Sequence, residues 1–330
     1  MSSPVISIVM AAFNEEKHIN ESIDSILKQT YSDFELIIIN DGSTDKTEQI
    51  IKSFGDKRIV YVKNEKNLKL ISSLNKGLEL ARGKYIARMD ADDICYPKRL
   101  EKQLSFMEAN PEVGISGAQL EIFGNSRGFM NYPLDHDSIK LRLLITSCFG
   151  NNVVIFRREI FEKYELYFPN GYIHAEDYKC WTNWIKHTKL ANLEDALVRY
   201  RSHSASVSIT GKRTQRETRD RIRKEYLTEL FQLSEQPDIA TLFYGTLSGK
   251  RINAIKFILD KNNELRVFPE EKLAEAINNL WYSDALEGVE DKFGNFLRFR
   301  FIFKLKFPGN GKRWINVLKH YIVIRFNKNK

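Results

Sequence analysis

The first two hundred residues alternate short apolar runs with stretches whose apolar positions recur every three or four residues, the pattern of strands separated by amphipathic helices. Val5 to Ala12 is the first expected strand, and Ile19, Ile23, Ile26 and Leu27 then mark one face of a helix. Phe34 to Ile39 is almost wholly apolar, which suits a strand buried on both faces of a sheet. A second helix is expected after Asp45, acting as its cap, and ends near Gly55; Ile59 to Val62 follows as a short strand. The next helix, Leu70 to Ala81, is expected to close on Gly83 as a left-handed cap and to return the chain to a strand from Tyr85 to Met89. Lys98 to Ala109 reads as a helix, Val113 to Phe123 and Val153 to Phe156 as strands, and Asp177 to His187 as another helix. Alternation of this kind predicts an α/β fold, a mostly parallel sheet flanked by helices.

The pattern changes after Ser208 to Arg213, a stretch of Ser, Gly and basic residues. From Thr214 onward the periodicity is helical, marked by Tyr226, Leu227, Leu230, Phe231 and Leu233, with no strong strand signal before the tail. The expected organisation is an α/β domain over residues 1–210, a helical appendage over 211–295 and a basic aromatic tail over 296–330. Charge sharpens the last boundary: of a net +8 over 330 residues, the tail holds ten Lys or Arg and no Asp or Glu, which leaves the rest slightly acidic. Arg298, Arg300, Lys304 and Lys306 interleave with Phe299, Phe301, Phe303 and Phe307, a mixture suited to an anionic membrane surface. A terminal helix with a solvated basic face has the same composition; nucleic acid is not the partner expected. No window has the roughly 18 uncharged apolar residues of a membrane span, and Met1 to Met10 lacks the basic flank of a signal peptide. Three widely spaced cysteines, Cys95, Cys148 and Cys180, fit a reducing compartment and no metal motif.

Candidate chemistry centres on Asp90, Asp92 and Asp93, three carboxylates delivered by the strand at Tyr85 to Met89. Like charges so close resist joint ionisation, and a divalent cation bridging to a diphosphate would compensate them. A solvated turn is the other reading, with Asp93 capping a helix that begins near Pro97. Two further polar groups also follow strands, where ligands collect in open parallel sheets. One is Ala11-Ala12-Phe13-Asn14-Glu15, a nucleotide-facing turn or a helix cap. The other is Asn40-Asp41-Gly42-Ser43-Thr44-Asp45, where Gly42 permits a tight turn and close backbone approach and Asp41 accepts hydrogen bonds from a base or ribose. Glu176 and Asp177, read locally, are an acidic pair at a helix start.

Taken in order, these segments resemble the family 2 glycosyltransferases of GT-A fold. Val5 to Glu15, Phe34 to Asp45, Gly83 to Asp93 and Ala175-Glu176-Asp177-Tyr178 with Trp181 carry the resemblance, which spans about Pro4 to His203. It implies an inverting transfer of a sugar from a nucleotide donor, usually a uridine diphosphate (UDP) sugar, to an acceptor hydroxyl. Asp41 would hold the uracil and ribose end, with Ala11, Ala12, Asn14 and Glu15 lining the same pocket. Asp90, Ala91 and Asp92 match the family's Asp-x-Asp, with Asp92 as the first ligand of Mn²⁺ or Mg²⁺ and Asp90 beside it. Asp177 would be the base and Glu176 would orient the acceptor or a neighbouring basic group. Arg199-Tyr200-Arg201-Ser202-His203 resembles the family's Tyr-Arg-x-His ending, so Arg201 would neutralise phosphate charge and His203 would touch the diphosphate or metal. His174, Gly150 to Asn152 and Tyr172 to Ala175 are candidates for reading the sugar or acceptor. Lys179 and Cys180 depart from the family, which is commonly more apolar there. The implied role is surface-polysaccharide synthesis on a glycan or lipid-linked glycan; the missing signal peptide and the composition of the tail, which lies outside the family pattern, add the expectation of a cytoplasmic protein peripheral on the inner membrane face. A nucleotidyltransferase, which usually needs an early Gly-rich phosphate loop, and a non-catalytic nucleotide-sugar binder are the alternatives.

Overall fold

Strand β2 (Phe34–Asn40) is buried along its whole length, as its apolar run requires, and lies parallel between β1 (Ile6–Ala12) and β3 (Ile59–Lys63). This is the centre of a computed structural model that describes residues 3–203, 212–233, 249–273 and 276. The chain divides into a unit from Met1 to Arg219 and a second from Asp220 to Lys330.

In the first unit β4 (Tyr85–Arg88) joins β1 in parallel, completing four parallel strands in the order β3-β2-β1-β4. Beyond β4 the sheet is mixed. Strand β8 (Ile155–Arg157) runs antiparallel to both β4 and β6 (Val113–Gly124), so β6 and its parallel partner β9 (Lys189–Ser202) point the same way as β1 to β4. Short strands β5 (Ile94–Cys95) and β7 (Gly128–Met130) pair antiparallel with β9 and β6. On one face, Ile8 and Met10 of β1, Leu36 and Ile38 of β2 and Tyr85 and Ala87 of β4 pack with α1 (Ile19–Leu27), α2 (Thr47–Ser53) and α4 (Arg99–Ala109). Helix α3 (Leu70–Leu80) covers the other face so closely that a Cβ at Gly77 would stand 2.4 Å from Val9 Cγ1.

Four local expectations are corrected. Gly83 is not a left-handed cap, because α3 ends at Ala81 in extended backbone and Gly83 lacks a positive φ. Its reason is space: a Cβ there would meet Ser7 N at 2.5 Å, and Gly83 N donates to Ser7 Oγ. Asp45 stands one residue ahead of the α2 cap position, Lys46, although it still accepts the N–H groups of Thr47 and Glu16 and so ties two loops together. Helix α4 starts after Lys98 without a side-chain cap, and Asp93 is engaged elsewhere. The strand expected from Val153 begins at Ile155, after a single 3-10 turn at Asn151–Val153.

Helices α5 (His136–Arg142), α6 (Arg158–Tyr164) and α7 (Glu176–Trp184) complete the first unit. Trp181 and Trp184 anchor α7: Trp181 meets Phe149 edge-on at 5.4 Å between centroids, and Trp184 meets Phe156 at 4.7 Å. In the second unit, the later turns of α8 (Lys212–Leu230) bury Ile222, Tyr226 and Leu227, while α9 (Gly249–Leu265) buries Ile258. Phe231 lies 6.3 Å from Phe268, whose backbone N–H and C=O both bond the Asn262 side chain. No described helix is long and apolar enough to cross a membrane. The tail over 296–330 and residues 204–211 around the expected boundary lie outside the described residues.

Candidate active site

Strand direction explains why residues far apart in sequence meet. Strands β1, β2, β4 and β9 all end at one edge of the sheet, and β8, running oppositely, begins there. The loops after β1 and β4, the turn before β8, the end of β9 and the start of α7 therefore converge, as sites do at the carboxyl edge of parallel strands. They enclose a cavity of about 760 Å³ whose wall includes Glu15, Asp90, Asp92, Glu176, Asp177 and His203.

Asp90, Asp92 and Asp93 each offer a carboxylate oxygen within 4.8 Å of the others. Ser22 Oγ donates to the Asp90 carbonyl and holds the turn. Asp92 Oδ2 lies 3.0 Å from His203 Nε2. Burial and the Asp90 charge push the Asp92 carboxyl upward, and His203 partly offsets them. Glu15 reaches about 7, through burial first and then the charges of Asp92, Asp90 and Asp45. Asp93 is fully buried, accepting from Arg201 N and from Asn152 Nδ2. Its carboxyl is also pushed well up by burial and by its two neighbours. This arrangement makes Asp93 the residue that shapes the turn, while Asp90 and Asp92 line the cavity.

Glu176 and Asp177 open α7, whose cap residue Ala175 supplies no side-chain bond. Burial and the adjacent Asp177 raise Glu176 to about 7. Asp177 is also raised by burial, against the opposing effects of the Tyr178 N–H, Arg88 and Ser147, whose Oγ donates to Oδ2 at 3.3 Å. The polar Lys179 and Cys180 do not disturb the helix: Cys180 is buried, and Lys179 Nζ lies 5.5 Å from the Tyr172 ring centre.

The other predicted residues divide between the wall and the layer behind it. Asn14, at φ 54, accepts Thr44 N through its side chain and donates its own N–H to Ser43 Oγ, lacing the β1 and β2 loops together. Asp41 is buried, and its Oδ1 accepts both Asn64 Nδ2 and Leu68 N. Gly42 does allow a close backbone approach, at φ 73, but what approaches is Lys66–Asn67 of the same chain. Ala12 is in the core, whereas Ala11 and Ala91 line the cavity. Arg201 is a clamp: Nε donates to the Asp92 carbonyl and Nη2 to Glu21. His174, at φ 64, is on the wall, and its carbonyl accepts Gln215 Nε2. Asn151 is on the wall, and Asn152 is buried on Asp93.

Several wall residues received no role of their own from sequence, although Phe13 and Ile173 fall within the segments Ala11 to Glu15 and Tyr172 to Ala175. Phe13, Leu70 and Ile173 form exposed apolar parts of the mouth. Lys69 stands beside them in a backbone conformation, φ 75 and ψ 161, that favours glycine. Nothing local marks Lys69 or Leu70. Arg88 did carry a signal, since a charge inside an otherwise apolar strand is uncommon unless paired. Its Nη1 lies 2.7 Å from Asp90 Oδ1 in an ion pair of poor hydrogen-bond angle, and Nε has no hydrogen-bond partner.

Residues 7–165 match the family described as glycosyl transferase family 2. An uncharacterized glycosyltransferase of Haemophilus influenzae is 39% identical over 240 residues, covering 68% of this chain and 74% of that one. The Escherichia coli UDP-Glc:alpha-D-GlcNAc-diphosphoundecaprenol beta-1,3-glucosyltransferase WfgD is 30% identical over 210 residues, covering 63% and 81%. Among solved structures, Staphylococcus aureus TarS 1-349 in complex with UDP superimposes with a TM-score of 0.55 at 20% identity, covering 91% of each chain, which supports a shared GT-A fold. With the strand order and the cavity at its carboxyl edge, these likenesses establish the chain as a glycosyltransferase belonging to glycosyl transferase family 2.

Proposed function

We propose that the protein transfers a sugar, with inversion, from a UDP-sugar to a hydroxyl of a glycan or lipid-linked glycan in surface-polysaccharide synthesis. The observation that carries this reading is the meeting of Asp90 and Asp92 with Glu176 and Asp177 on one cavity wall. A single cavity then has carboxylates for a cation and carboxylates for a proton. The WfgD relative, named for a UDP-Glc donor and a diphosphoundecaprenol-linked acceptor, supports the donor and acceptor classes.

The donor set fits Mn²⁺ or Mg²⁺. Its ligands are oxygens, and three carboxylates within 4.8 Å of one another gather negative charge that a cation would offset. Asp92 and Asp90 would hold the ion, with His203 against Asp92; the ion would neutralise charge on the departing diphosphate. Asp41 and Asn14 shape the nucleotide end by fixing the loops around Ser43, Thr44, Asn64 and Leu68. Asp177 takes the proton of the acceptor hydroxyl as its oxygen bonds to the anomeric carbon and the bond to the diphosphate oxygen breaks. Glu176, buried beside it, orients the acceptor. Arg201 acts through Asp92 and Asp93, whose backbone and side chain it holds.

The test is a panel of UDP-sugars with Mn²⁺, read first by thermal shift and then by product. A donor that binds the folded chain raises its unfolding temperature. Addition of acceptor should release UDP; release of pyrophosphate, or of nothing with every donor that binds, would overturn the transferase reading of this site.

A further inference from the structure

Two buried arginines of the first unit show what a structural arginine looks like here. Arg157 donates from Nε to Val113 O, from Nη1 to Tyr85 Oη and from Nη2 to Met107 O. Arg99 bonds Gln103 through Nε and the Arg88 carbonyl through Nη2, while its Nη1 meets Met89 and Cys95 sulfurs. Arg88 differs. Its side chain is only 4% exposed, its Nε has no hydrogen-bond partner, and its Nη1 is engaged only in a poorly aligned ion pair with Asp90. Leaving donors of a buried guanidinium unmade is unfavourable, so packing alone does not account for it.

The backbone gives Arg88 little freedom. It ends β4 between β1 and the start of β8, with its N–H donated to Val154 O and its carbonyl held by Arg99. Strand alternation sends Tyr85, Ala87 and Met89 into the core on one face and Arg88 to the other. There it lines the cavity with Asp90, Glu176 and Asp177, carboxylates from two elements almost ninety residues apart in sequence.

We propose that Arg88 is a positioning residue that joins the two halves of the site, holding Asp90 through one oxygen while placing its charge beside Glu176 and Asp177. The proposal rests on the reading of Asp90 and Asp92 as the cation's carboxylates and Asp177 as the base. With Oδ1 of Asp90 against Arg88, the second oxygen is left to face a metal, the way outer partners orient a ligand. Across the cavity the same guanidinium favours the charged forms of Glu176 and Asp177, countering the burial that disfavours them. A single buried charge thereby sets both the cation's carboxylate and the proton acceptor. Lysine is no equivalent, because its ammonium is a compact, strongly hydrated point charge on a flexible stem, which the buried contact with Asp90 does not hold in the same place.

The experiment measures Mn²⁺ binding by electron paramagnetic resonance, with UDP present, in the full chain and in its Arg88→Met, Arg88→Lys and Asp92→Asn variants. Thermal unfolding of each is followed as a control. Arg88→Met is expected to weaken Mn²⁺ roughly 10- to 100-fold, with Arg88→Lys intermediate. If the unaltered protein binds no Mn²⁺, the metal reading fails and this proposal fails with it. If Asp92→Asn loses Mn²⁺ while Arg88→Met binds it as the unaltered protein does, the metal reading stands and the role of Arg88 is overturned. Should Arg88→Met fail to unfold cooperatively, Arg88→Lys decides alone: an affinity and spectrum equal to those of the unaltered chain refute the proposal.

Discussion

Glu176 illustrates how one side chain at this site trades stability for position. Its carboxyl is raised to about 7 by burial and by Asp177, against an ordinary value of 4.5. The folded protein therefore keeps a proton that the unfolded chain has released between about pH 4.5 and 7. Stability falls as pH rises through that window, by about 3 kcal/mol from this group, and the loss is complete above it. Glu176→Gln removes the titration. It is expected to be more stable than the unaltered chain by about that amount at pH 8 and no more stable at pH 4. Urea unfolding at the two pH values checks this, and an equal difference at both would contradict it. Asp177 is expected to act differently: Asp177→Asn should lower transfer by roughly 10²- to 10⁴-fold, the range of a lost general base, while UDP affinity stays within about twofold. Normal turnover in that variant would remove Asp177 from the proton's path. Glu176 and Asp177 are plain in the sequence as an acidic helix start, and the partner of Asp177, Ser147, thirty residues away, is not.

Elements bring strain as well as residues to the cavity. The loop from β3 to α3 enters the helix at Lys69, whose φ 75 and ψ 161 belong to a region occupied almost only by glycine. Such a conformation costs a bulky residue roughly 1–3 kcal/mol, and Lys69 lies on the cavity wall. Lys69→Gly is expected to gain about 1 kcal/mol net, after the greater freedom of glycine in the unfolded chain is subtracted. That gain corresponds to a rise in Tm of roughly 2–4 °C. A fall in Tm would show that the side chain's contacts outweigh the strain. The strain is invisible in the sequence because the position carries no glycine. By contrast, the core strands were legible element by element. Phe34 to Ile39 announces a strand buried on both faces, and the spacing of Ile19, Ile23 and Ile26 announces the helix beside it. The Gly83 expectation failed for a physical reason: a glycine after a helix serves a left-handed turn or a close approach equally well. Only the proximity of Ser7, from a strand 76 residues earlier, separates the two.

For the whole molecule, charge is the property that reaches beyond the first unit. Residues 296–330 hold ten basic side chains and no acidic one, among aromatic residues that suit a headgroup layer. Removing that segment from the full chain is expected to release the protein from vesicles containing anionic phosphatidylserine, measured by sedimentation at low and high salt. Unchanged binding would defeat the idea of a membrane-seeking tail. The sequence by itself determined the succession of strands and helices, because periodicity is a local property. It likewise named the carboxylates that now share a cavity, since Asp90 with Asp92 and Glu176 with Asp177 are chain neighbours. Tertiary structure alone decided which polar residues face the cavity and which stand behind it. Asp41 and Asn14 are drawn into bonds with Asn64, Leu68 and Thr44, and Asp93 into bonds with Asn152 and Arg201. Arg88, unmarked by any motif role, is left on the wall with bonds unmade. The physical reason is that burial and hydrogen-bond partnership depend on neighbours delivered by other strands to the same edge of the sheet, and one segment's residues do not specify those neighbours.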